Sequence, residues 1–261
     1  MNKSPRFMIA APSSGSGKTM LTCGLMRLLQ KKGYEVQGFK CGPDYIDPMF
    51  HTRVLGIPSV NLDSFFAEDE VLRYLFDRRM QQRYSEMSIA VLEGVMGYYD
   101  GLAGRSIKGS TCDIAKITDT PVILCIDTKG MSLSVVPYVK GFLEYIPDSH
   151  IQGVILNRCS KGMYPILKEL LETQLNIAVI GYMPVLEDCE LPSRHLGLYL
   201  PQEIQDFQQK VERIADTLAD TLDMECLLGL AKSAPALETK APDNWSGILQ
   251  QTEPVIRIAI A

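Results

Sequence analysis

A nine-residue stretch decides the fold of this chain: Ala11-Pro12-Ser13-Ser14-Gly15-Ser16-Gly17-Lys18-Thr19. It lies between an apolar run at 6–11, typical of a buried strand, and a helical pattern at 19–30. A glycine-rich turn between a strand and a helix directs backbone N–H groups and the positive helix end at one point, so its natural ligand is a polyphosphate. We expect Lys18 to reach the β- and γ-phosphates of a nucleotide and the Thr19 hydroxyl to bind Mg²⁺. The predicted nucleotide-binding residues are Ser14, Gly15, Ser16, Gly17, Lys18 and Thr19.

One position departs from the phosphate-loop pattern G-x-x-x-x-G-K-[ST]. The chain has Pro12 where the pattern has glycine. Proline has a fixed φ and no N–H, so the first residues of the loop must be built differently. The alternative is a Gly/Ser turn that only ends a strand. The order of strand, turn, Lys-Thr and helix favours the phosphate loop over that alternative.

Composition narrows the class of protein. The chain has 261 residues, of which 46% are hydrophobic and 22% charged, which is typical of a globular protein with a large core. Its formal charge of −5 gives no electrostatic support for nucleic-acid binding. No apolar run is long enough for a membrane span or a signal peptide. The seven cysteines include no C-x-x-C pair, as expected for reduced thiols. We therefore expect a cytoplasmic protein that binds neither nucleic acid nor membrane.

Short apolar runs alternate with helical patterns, which favours βαβ units. The predicted fold is α/β, of the P-loop NTPase type, with an open, mainly parallel sheet and helices on both faces. The predicted strands are Phe7–Ala11, Glu35–Phe39, Ile89–Glu93, Val122–Asp127, Gly153–Asn157 and Ala178–Tyr182. The predicted helices are Lys18–Lys32, Glu68–Tyr84, Thr111–Thr118, Leu133–Tyr145, Tyr164–Thr173 and Gln202–Leu222.

The C-terminal part differs in composition from the rest. Residues 1–232 are expected to form the phosphate-loop domain, and the Pro- and polar-rich residues 233–254 an interdomain linker. Residues 255–261 have a strand pattern, which we interpret as the first strand of a second α/β domain. The alternative is that this strand joins the edge of the first sheet.

Charged residues follow the predicted strands at the edge where ligands of open parallel sheets bind. Lys40, Asp44 and Asp47 follow the second strand, and Glu93 ends the third. Carboxylates beside a triphosphate repel it unless a metal bridges them, so Asp44, Asp47 and Glu93 are candidate Mg²⁺ ligands together with Thr19. Lys40 is a candidate cation for the transferring phosphoryl group. For the two aspartates, the alternative is a solvated Asp/Pro turn.

Four further residues are candidates for the site, and for three of them an alternative stays open. Asp100 is expected to face the substrate side of the site. Asn157 has a position suited to purine recognition, but its pattern equally fits an amide that satisfies a local turn. Arg194 and His195 are candidates for binding an anionic substrate, or they belong to a packed loop. The roles of Asp127 and Lys129 stay undecided.

The ordered motifs of the chain resemble those of the cobyrinic acid a,c-diamide synthase family. The residues that carry the resemblance are Ala11–Thr19, Gly38–Pro48, Asn61-Leu62-Asp63, Glu93–Gly101 and Arg194–Leu198. This resemblance implies a domain similar in fold to dethiobiotin synthetase. It also implies an activity in which ATP and Mg²⁺ convert two acetate carboxylates of the substrate, a and c, into acyl phosphates. It also implies that Tyr45 and Ile46 lie near the tetrapyrrole (corrinoid) substrate.

The nitrogen source is implied by the same resemblance. Ammonia comes from glutamine, hydrolysed by a C-terminal class I amidotransferase domain, of which residues 255–261 resemble the first strand. None of the seven cysteines is assigned as the nucleophile of that domain.

Other functions share parts of this pattern. One alternative is an enzyme with the same chemistry and another acid as its substrate. That acid would be Ni-sirohydrochlorin, hydrogenobyrinic acid, or the substrate of a cobyric acid synthase or a dethiobiotin synthetase. A deviant P-loop switch ATPase carries a lysine five residues before the phosphate-binding lysine, where this chain has Ser13. The sequence does not determine the oligomeric state, and a homodimer that completes the site across an interface is compatible with it.

Overall fold

A computed structural model describes residues 4–82, 85–189 and 206–242. In this part of the chain seven strands form one sheet, ordered β3-β2-β4-β1-β5-β6-β7, and every adjacent pair is parallel. The strands are β1 (Arg6–Ala10), β2 (Glu35–Cys41), β3 (Ser59–Leu62), β4 (Ser88–Glu93), β5 (Val122–Asp127), β6 (Ile151–Asn157) and β7 (Ala178–Met183). The predicted α/β class with an open parallel sheet is confirmed.

Helices cover both faces of the sheet, as predicted. The helices are α1 (Lys18–Lys31), α2 (Ile46–Met49), α3 (Asp69–Gln81), α4 (Thr111–Ile117), α5 (Val135–Glu144), α6 (Tyr164–Leu175), α7 (Phe207–Thr221) and α8 (Met224–Ser233). A π-helix continues α2 over Phe50–Val54. One core layer holds α1, α7 and α8, and the other holds α3, α4, α5 and α6. None of the described helices combines the length and apolarity that a membrane span requires.

Three elements have no counterpart in the sequence-based prediction. Strand β3 is four residues long and largely unburied, so it lacks a clear hydrophobic pattern. The α2–π-helix segment lies in a stretch expected to be a turn, and α8 lies beyond the last predicted helix. The predicted helix at 202–222 corresponds to α7 within the described residues.

Part of the expected linker packs against the domain. The Arg6 guanidinium donates to the Pro235 carbonyl at 2.8 Å, and the Thr239 hydroxyl donates to the Asp77 carboxylate at 3.0 Å. Leu237 packs on the core layer of α3 to α6. The division of the chain into domain and linker stays a prediction, and the strand pattern at 255–261 lies outside the described residues.

The register of the central strands brings the charged residues together. Glu93 lies opposite Ile9 of β1 and opposite Lys40 of β2 in the parallel ladders. Both charged residues sit at the carboxyl ends of their strands, where the phosphate loop follows β1. The order β2-β4-β1 therefore places Lys40, Glu93 and the phosphate loop side by side.

Helix α1, which follows the phosphate loop, depends on close packing against α7. A Cβ atom on Gly24 would lie 2.2 Å from Cγ2 of Ile214, so a side chain at residue 24 would force the two helices or Ile214 to shift. We expect Gly24→Ala to lower the free energy of unfolding by about 1–3 kcal/mol, because overpacking outweighs the better helix propensity of alanine.

Urea unfolding measures this effect. Gly229→Ala in α8 is the matched control, since nothing lies within 4 Å of its ideal Cβ. The control is expected to be neutral or stabilising. A Gly24→Ala variant as stable as its parent would contradict the packing argument.

Candidate active site

The phosphate loop has the backbone that its motif predicts. Gly15 and Gly17 have φ values of 75° and 85°, a left-handed region that favours glycine. The Ser16 hydroxyl donates to the Ser13 carbonyl at 2.9 Å and closes the turn. The buried Lys18 ammonium donates to the Ser13 carbonyl at 3.0 Å and to the Met96 carbonyl at 2.6 Å. Lys18 therefore joins the phosphate loop to the loop that follows β4.

Asn157, at the end of β6, supports the same loop. Its side-chain nitrogen donates to the Ser16 carbonyl at 2.8 Å. A Cβ on Gly17 would lie 2.5 Å from that nitrogen, so this contact requires glycine at residue 17. The structure thus brings Asn157 to the nucleotide loop, and its reading of a purine stays a prediction.

A cluster of charged side chains lies directly beside Thr19. The Thr19 hydroxyl is 2.8 Å from Oε1 of Glu93 and 3.4 Å from Oδ2 of Asp47. The Lys40 ammonium is 2.5 Å from Oδ2 of Asp47, 3.2 Å from Oε1 of Glu93 and 3.9 Å from Oδ2 of Asp44. The sequence-predicted residues Thr19, Lys40, Asp44, Asp47 and Glu93 therefore form one cluster.

Burial and the charges of the neighbouring groups act in opposite directions on the pKa values of Lys40 and Glu93. Burial disfavours the charged form of Lys40, but the negative charges of Glu93 and Asp47 outweigh it and raise the pKa of Lys40. Burial alone would raise the pKa of Glu93, but Lys40, followed by the hydrogen bond from His51, lowers that pKa instead. Burial, reinforced by the charge of Glu93, raises the pKa of Asp47. The pair Lys40–Glu93 is therefore ionised at neutral pH.

Lys18 has a different electrostatic environment from Lys40. Burial and then the positive charge of Lys40 lower the pKa of Lys18. An ammonium group in this position gains stability from an anion that approaches it. This is the behaviour expected of a phosphate-binding lysine.

His51 completes the cluster, and sequence reasoning missed it. Its imidazole is fully buried, with Nε2 2.9 Å from Oε2 of Glu93 and Nδ1 3.0 Å from the Ser59 hydroxyl. Because an ionised carboxylate only accepts hydrogen bonds, Nε2 carries the proton toward Glu93. The π-helix Phe50–Val54 positions this ring, and π-helical turns are frequent at functional sites. The only sequence signal was the closeness of His51 to the motif that contains Asp44 and Asp47.

The loop after β2 is held by a residue of the neighbouring strand. The Asn61 side-chain nitrogen donates to the carbonyls of Gly42 and Asp44, at 2.9 Å and 2.5 Å. Tyr45 is 62% exposed beside this anchor, whereas Ile46 is buried in the core under α1. Both remain predictions as substrate contacts, but only Tyr45 presents its side chain to solvent.

The remaining predicted site residues are not joined to the cluster by a described contact. The Asp100 carboxylate accepts a hydrogen bond at 2.9 Å from the backbone N–H of Gly97, within its own loop. Asp127, whose role was undecided, forms an ion pair with Arg158. Arg194 and His195 lie outside the described residues.

The donor set fits Mg²⁺ that is shared with a nucleotide. Mg²⁺ prefers hard oxygen donors and is usually held by one or two carboxylates, water and substrate phosphates. Thr19, Glu93 and Asp47 supply such oxygens within hydrogen-bonding distance of one another, and three carboxylates exceed the charge of Lys40. Within the described ranges no group of three or more His, Cys, Asp or Glu side chains is placed to hold a metal ion.

Removing Lys40 should destabilise the protein in a pH-dependent way. We expect Lys40→Met to lower the free energy of unfolding by about 3–5 kcal/mol near neutral pH, because it leaves buried carboxylates unpaired. Lys40 is protonated in the folded and unfolded states up to its unfolded pKa, so its own charge adds no pH dependence below that value. Without Lys40 the pKa values of Glu93 and Asp47 rise, and the folded variant binds protons as the pH falls.

The loss should therefore shrink between about pH 8 and about pH 5. In the parent the pKa of Glu93 is lowered, so Glu93 stays ionised between these pH values and its contribution to the free energy of unfolding is constant. The raised pKa of Asp47 gives a smaller gain in stability on acidification. Urea unfolding at both pH values tests this, with the exposed Lys31→Met as control. An equal loss at the two pH values would contradict the assignment.

His51 should act through Glu93. His51→Phe removes the donor to Oε2, whereas His51→Gln retains one. We expect the Phe variant to bind Mn²⁺ with a nonhydrolysable ATP analogue about 10–100-fold more weakly, as is typical when a residue that orients a metal ligand is lost. The Gln variant should remain within a few-fold of the parent. Electron paramagnetic resonance of free Mn²⁺ measures this, and unchanged Mn²⁺ affinity in His51→Phe would contradict the role.

Comparisons with known proteins agree with the nucleotide-binding fold. Residues 7–198 match the family described as the CobQ/CobB/MinD/ParA nucleotide binding domain. The signal recognition particle receptor FtsY from Elizabethkingia anophelis, solved in complex with GDP, has a TM-score of 0.51 and 10% identity, covering 82% of this chain and 64% of that one. This likeness concerns the fold alone.

Curated relatives are more specific. The cobyrinate a,c-diamide synthase of Listeria innocua is 42% identical over 241 residues, which is 92% of this chain and 52% of that protein. The enzyme of the same name from Salmonella typhimurium is 42% identical over 245 residues, with the same coverage. The chain spans about half the length of the curated relatives it matches. By its fold, its phosphate loop and this match over most of its length, the chain belongs to the CobQ/CobB/MinD/ParA family of nucleotide-binding domains and is a homologue of the cobyrinate a,c-diamide synthases.

Proposed function

We propose that this chain is the ATP-dependent synthetase part of a cobyrinate a,c-diamide synthase. It would convert the a and c acetate carboxylates of cobyrinate into amides, with ATP as the source of energy and ammonia as the nitrogen donor. The observation that carries the proposal is the buried Lys40–Glu93–Asp47 cluster in contact with Thr19 of the phosphate loop. The match to enzymes of this name supports the choice of substrate.

The residues of the site have distinct tasks in this reaction. Backbone N–H groups of residues 14–17 bind the β- and γ-phosphates, and Lys18 at the loop neutralises part of their charge. Thr19, Glu93 and Asp47 would hold Mg²⁺, which when bound offsets the charge of the triphosphate and orients it. Lys40 keeps its proton, because Glu93 and Asp47 raise its pKa, and so presents a permanent cation.

The two chemical steps follow from these charges. A carboxylate oxygen of the substrate forms a bond to the γ-phosphorus of ATP, and the bond to the β–γ bridging oxygen breaks, which releases ADP and leaves an acyl phosphate. Two anions must approach each other in this step, so Lys18 and Lys40 act by positioning and neutralisation. Ammonia then attacks the acyl carbon, phosphate leaves, and the proton lost from nitrogen passes to phosphate or water.

The nitrogen source is part of the proposal. In a longer protein of the relatives' size, ammonia would come from glutamine hydrolysed by a further domain. Ammonium chloride can replace it in the assay, because free ammonia is the attacking species. No cysteine of this chain is assigned a role in the hydrolysis of glutamine.

Two competing functions predict different products. The same chemistry on another acid would show turnover with that acid and none with cobyrinate. A switch ATPase would transfer the γ-phosphoryl group to water and respond to a protein partner, not to an acid. The assay is ADP formation in the presence of ammonium chloride with cobyrinate or each alternative tetrapyrrole acid. Cobyrinate-dependent ADP formation supports the proposal, and ADP formation indifferent to every acid contradicts it.

Glu93 is the residue whose change should affect turnover most directly. Glu93→Gln keeps the shape but removes the negative charge that Lys40 and Mg²⁺ would share. We expect kcat with ammonium chloride to fall by about a hundredfold or more. Glu144→Gln, on the exposed part of α5, is the control and should retain parental rates. Near-parental turnover in a folded Glu93→Gln variant would remove Glu93 from the metal site.

A further inference from the structure

Two adjacent phenylalanines are exposed at the edge of the sheet that carries the site. Phe65 is 63% exposed and Phe66 is 75% exposed, on the turn that follows β3. Their ring centroids are 5.0 Å apart, with the rings nearly perpendicular. Single exposed apolar residues are ordinary, but contiguous exposed apolar area next to a site often marks binding.

The turn that carries these rings is fixed by hydrogen bonds. The Asp63 carboxylate accepts from the Phe65 N–H at 2.8 Å, and the Asp63 carbonyl accepts from the Ala67 N–H at 3.2 Å. The buried Ser64 hydroxyl donates to Oδ2 of Asp113 at 2.7 Å. Hydrogen bonds therefore hold the backbone of this turn in place, and the two rings project from it into solvent.

A second loop brings positive charge to the same place. Arg105 and Lys108 are exposed, and their side chains have no ion pair or hydrogen bond with any residue that the structure describes. The N–H of Gly109, next to Lys108, donates to Oδ2 of Asp113 at 2.8 Å. This oxygen also accepts the hydrogen bond of Ser64, so the aromatic turn and the cationic loop meet at one atom. We call Phe65, Phe66, Arg105 and Lys108 the aromatic–basic surface.

The aromatic–basic surface is coupled to the reacting centre through two contacts. The Thr111 hydroxyl, two residues from Asp113, donates to the Val95 carbonyl at 2.9 Å and accepts from the Val95 N–H at 2.8 Å. The next residue, Met96, accepts the hydrogen bond of Lys18. The surface thus belongs to the same rigid edge as the phosphate loop.

We infer that the aromatic–basic surface binds the non-reacting part of the acceptor substrate, an acid with a broad apolar ring system and several peripheral carboxylates. Phe65 and Phe66 pack against the apolar ring system, and Arg105 and Lys108 pair with carboxylates that are not being amidated. The inference rests on the proposed function, because that function requires a large polycarboxylate to be held while one carboxylate meets ATP.

Charge complementarity also fixes the orientation. Glu68, the N-cap of α3, follows the aromatic turn, and Asp69 and Glu70 begin the helix. They repel carboxylates, so the peripheral carboxylates of the substrate point toward Arg105 and Lys108. An uncharged partner surface would gain nothing from the two exposed cations, which have no partner among the described residues, and a second copy of this acidic chain would need an acidic patch placed against them.

The test begins with the aromatic pair. The probe is cobyrinate with ammonium chloride and ATP, and ADP formation is the readout. Phe65→Ser/Phe66→Ser should raise KM for cobyrinate about tenfold or more, because buried ring area is lost from binding. The KM for ATP and the kcat at saturating cobyrinate should stay within about twofold. The matched control is Ile166→Ser, which removes a 51% exposed apolar side chain from α6.

The basic pair has a separate readout. Arg105→Gln/Lys108→Gln should raise KM for cobyrinate several-fold and weaken its dependence on salt, since screened ion pairs are what salt removes. Lys161→Gln, an exposed lysine before α6, is the control and should leave the salt dependence unchanged. Cobyrinate binding without ATP, followed by its visible absorbance, should weaken in parallel.

The outcomes separate the two levels of the proposal. No cobyrinate-dependent ADP formation by the parent chain overturns the proposed function and this inference with it. If the parent is active, unchanged KM for cobyrinate in both double variants overturns the inference alone. An equal rise of KM for ATP also overturns the inference. A change of molecular mass by light scattering, without a change of KM for cobyrinate, overturns it as well and indicates an interface between copies of this chain.

Discussion

The carboxylate of Glu93 is fully buried, and the rest of the site depends on how it is paired. An ionised carboxylate in this position is costly unless every lone pair is used. Oε1 accepts from Thr19 and Lys40, and Oε2 accepts from His51. These three donors belong to α1, to β2 and to the π-helix after α2. One buried charge therefore ties the phosphate loop to the two elements that carry the other functional residues.

The negative charges around Glu93 are not balanced by the positive charge of Lys40. Asp44 and Asp47 add negative charge beside Glu93, and Lys40 is the cation that contacts all three carboxylates. On the opposite side the Lys18 ammonium donates to two backbone carbonyls, and burial, followed by the charge of Lys40, lowers its pKa. An excess of oxygen donors on one side and a destabilised ammonium on the other match a cation–polyphosphate pair. Neither a bare metal nor a bare anion would satisfy both sides.

Much of this arrangement could be predicted, because it follows from local pattern and from the geometry of parallel sheets. The phosphate loop has a sequence signature, and Lys40 and Glu93 end strands whose carboxyl ends must meet. His51 could not be predicted in the same way: its contact with Glu93 spans 42 residues and depends on a π-helix formed by tertiary packing. Strand β3 was missed because it has four residues, of which only Leu62 is buried, so it shows no hydrophobic periodicity. The contact of Asn61 with the loop after β2 was missed with it. The burial of Ile46 could not be predicted either: this motif residue packs into the core, and its place near the substrate stays a prediction.

The central claim is that the γ-phosphoryl group bound by this loop is passed to a carboxylate and not to water. The most direct measurement is the transfer of oxygen from cobyrinate labelled with ¹⁸O in its carboxylates, followed by mass spectrometry of the phosphate released with ADP and ammonium chloride. Transfer to a carboxylate predicts one ¹⁸O atom in each phosphate formed, because the acyl phosphate loses its carboxylate oxygen when ammonia attacks. Phosphate without ¹⁸O, whose fourth oxygen comes from water, would contradict this transfer and would identify the chain as a hydrolase of ATP.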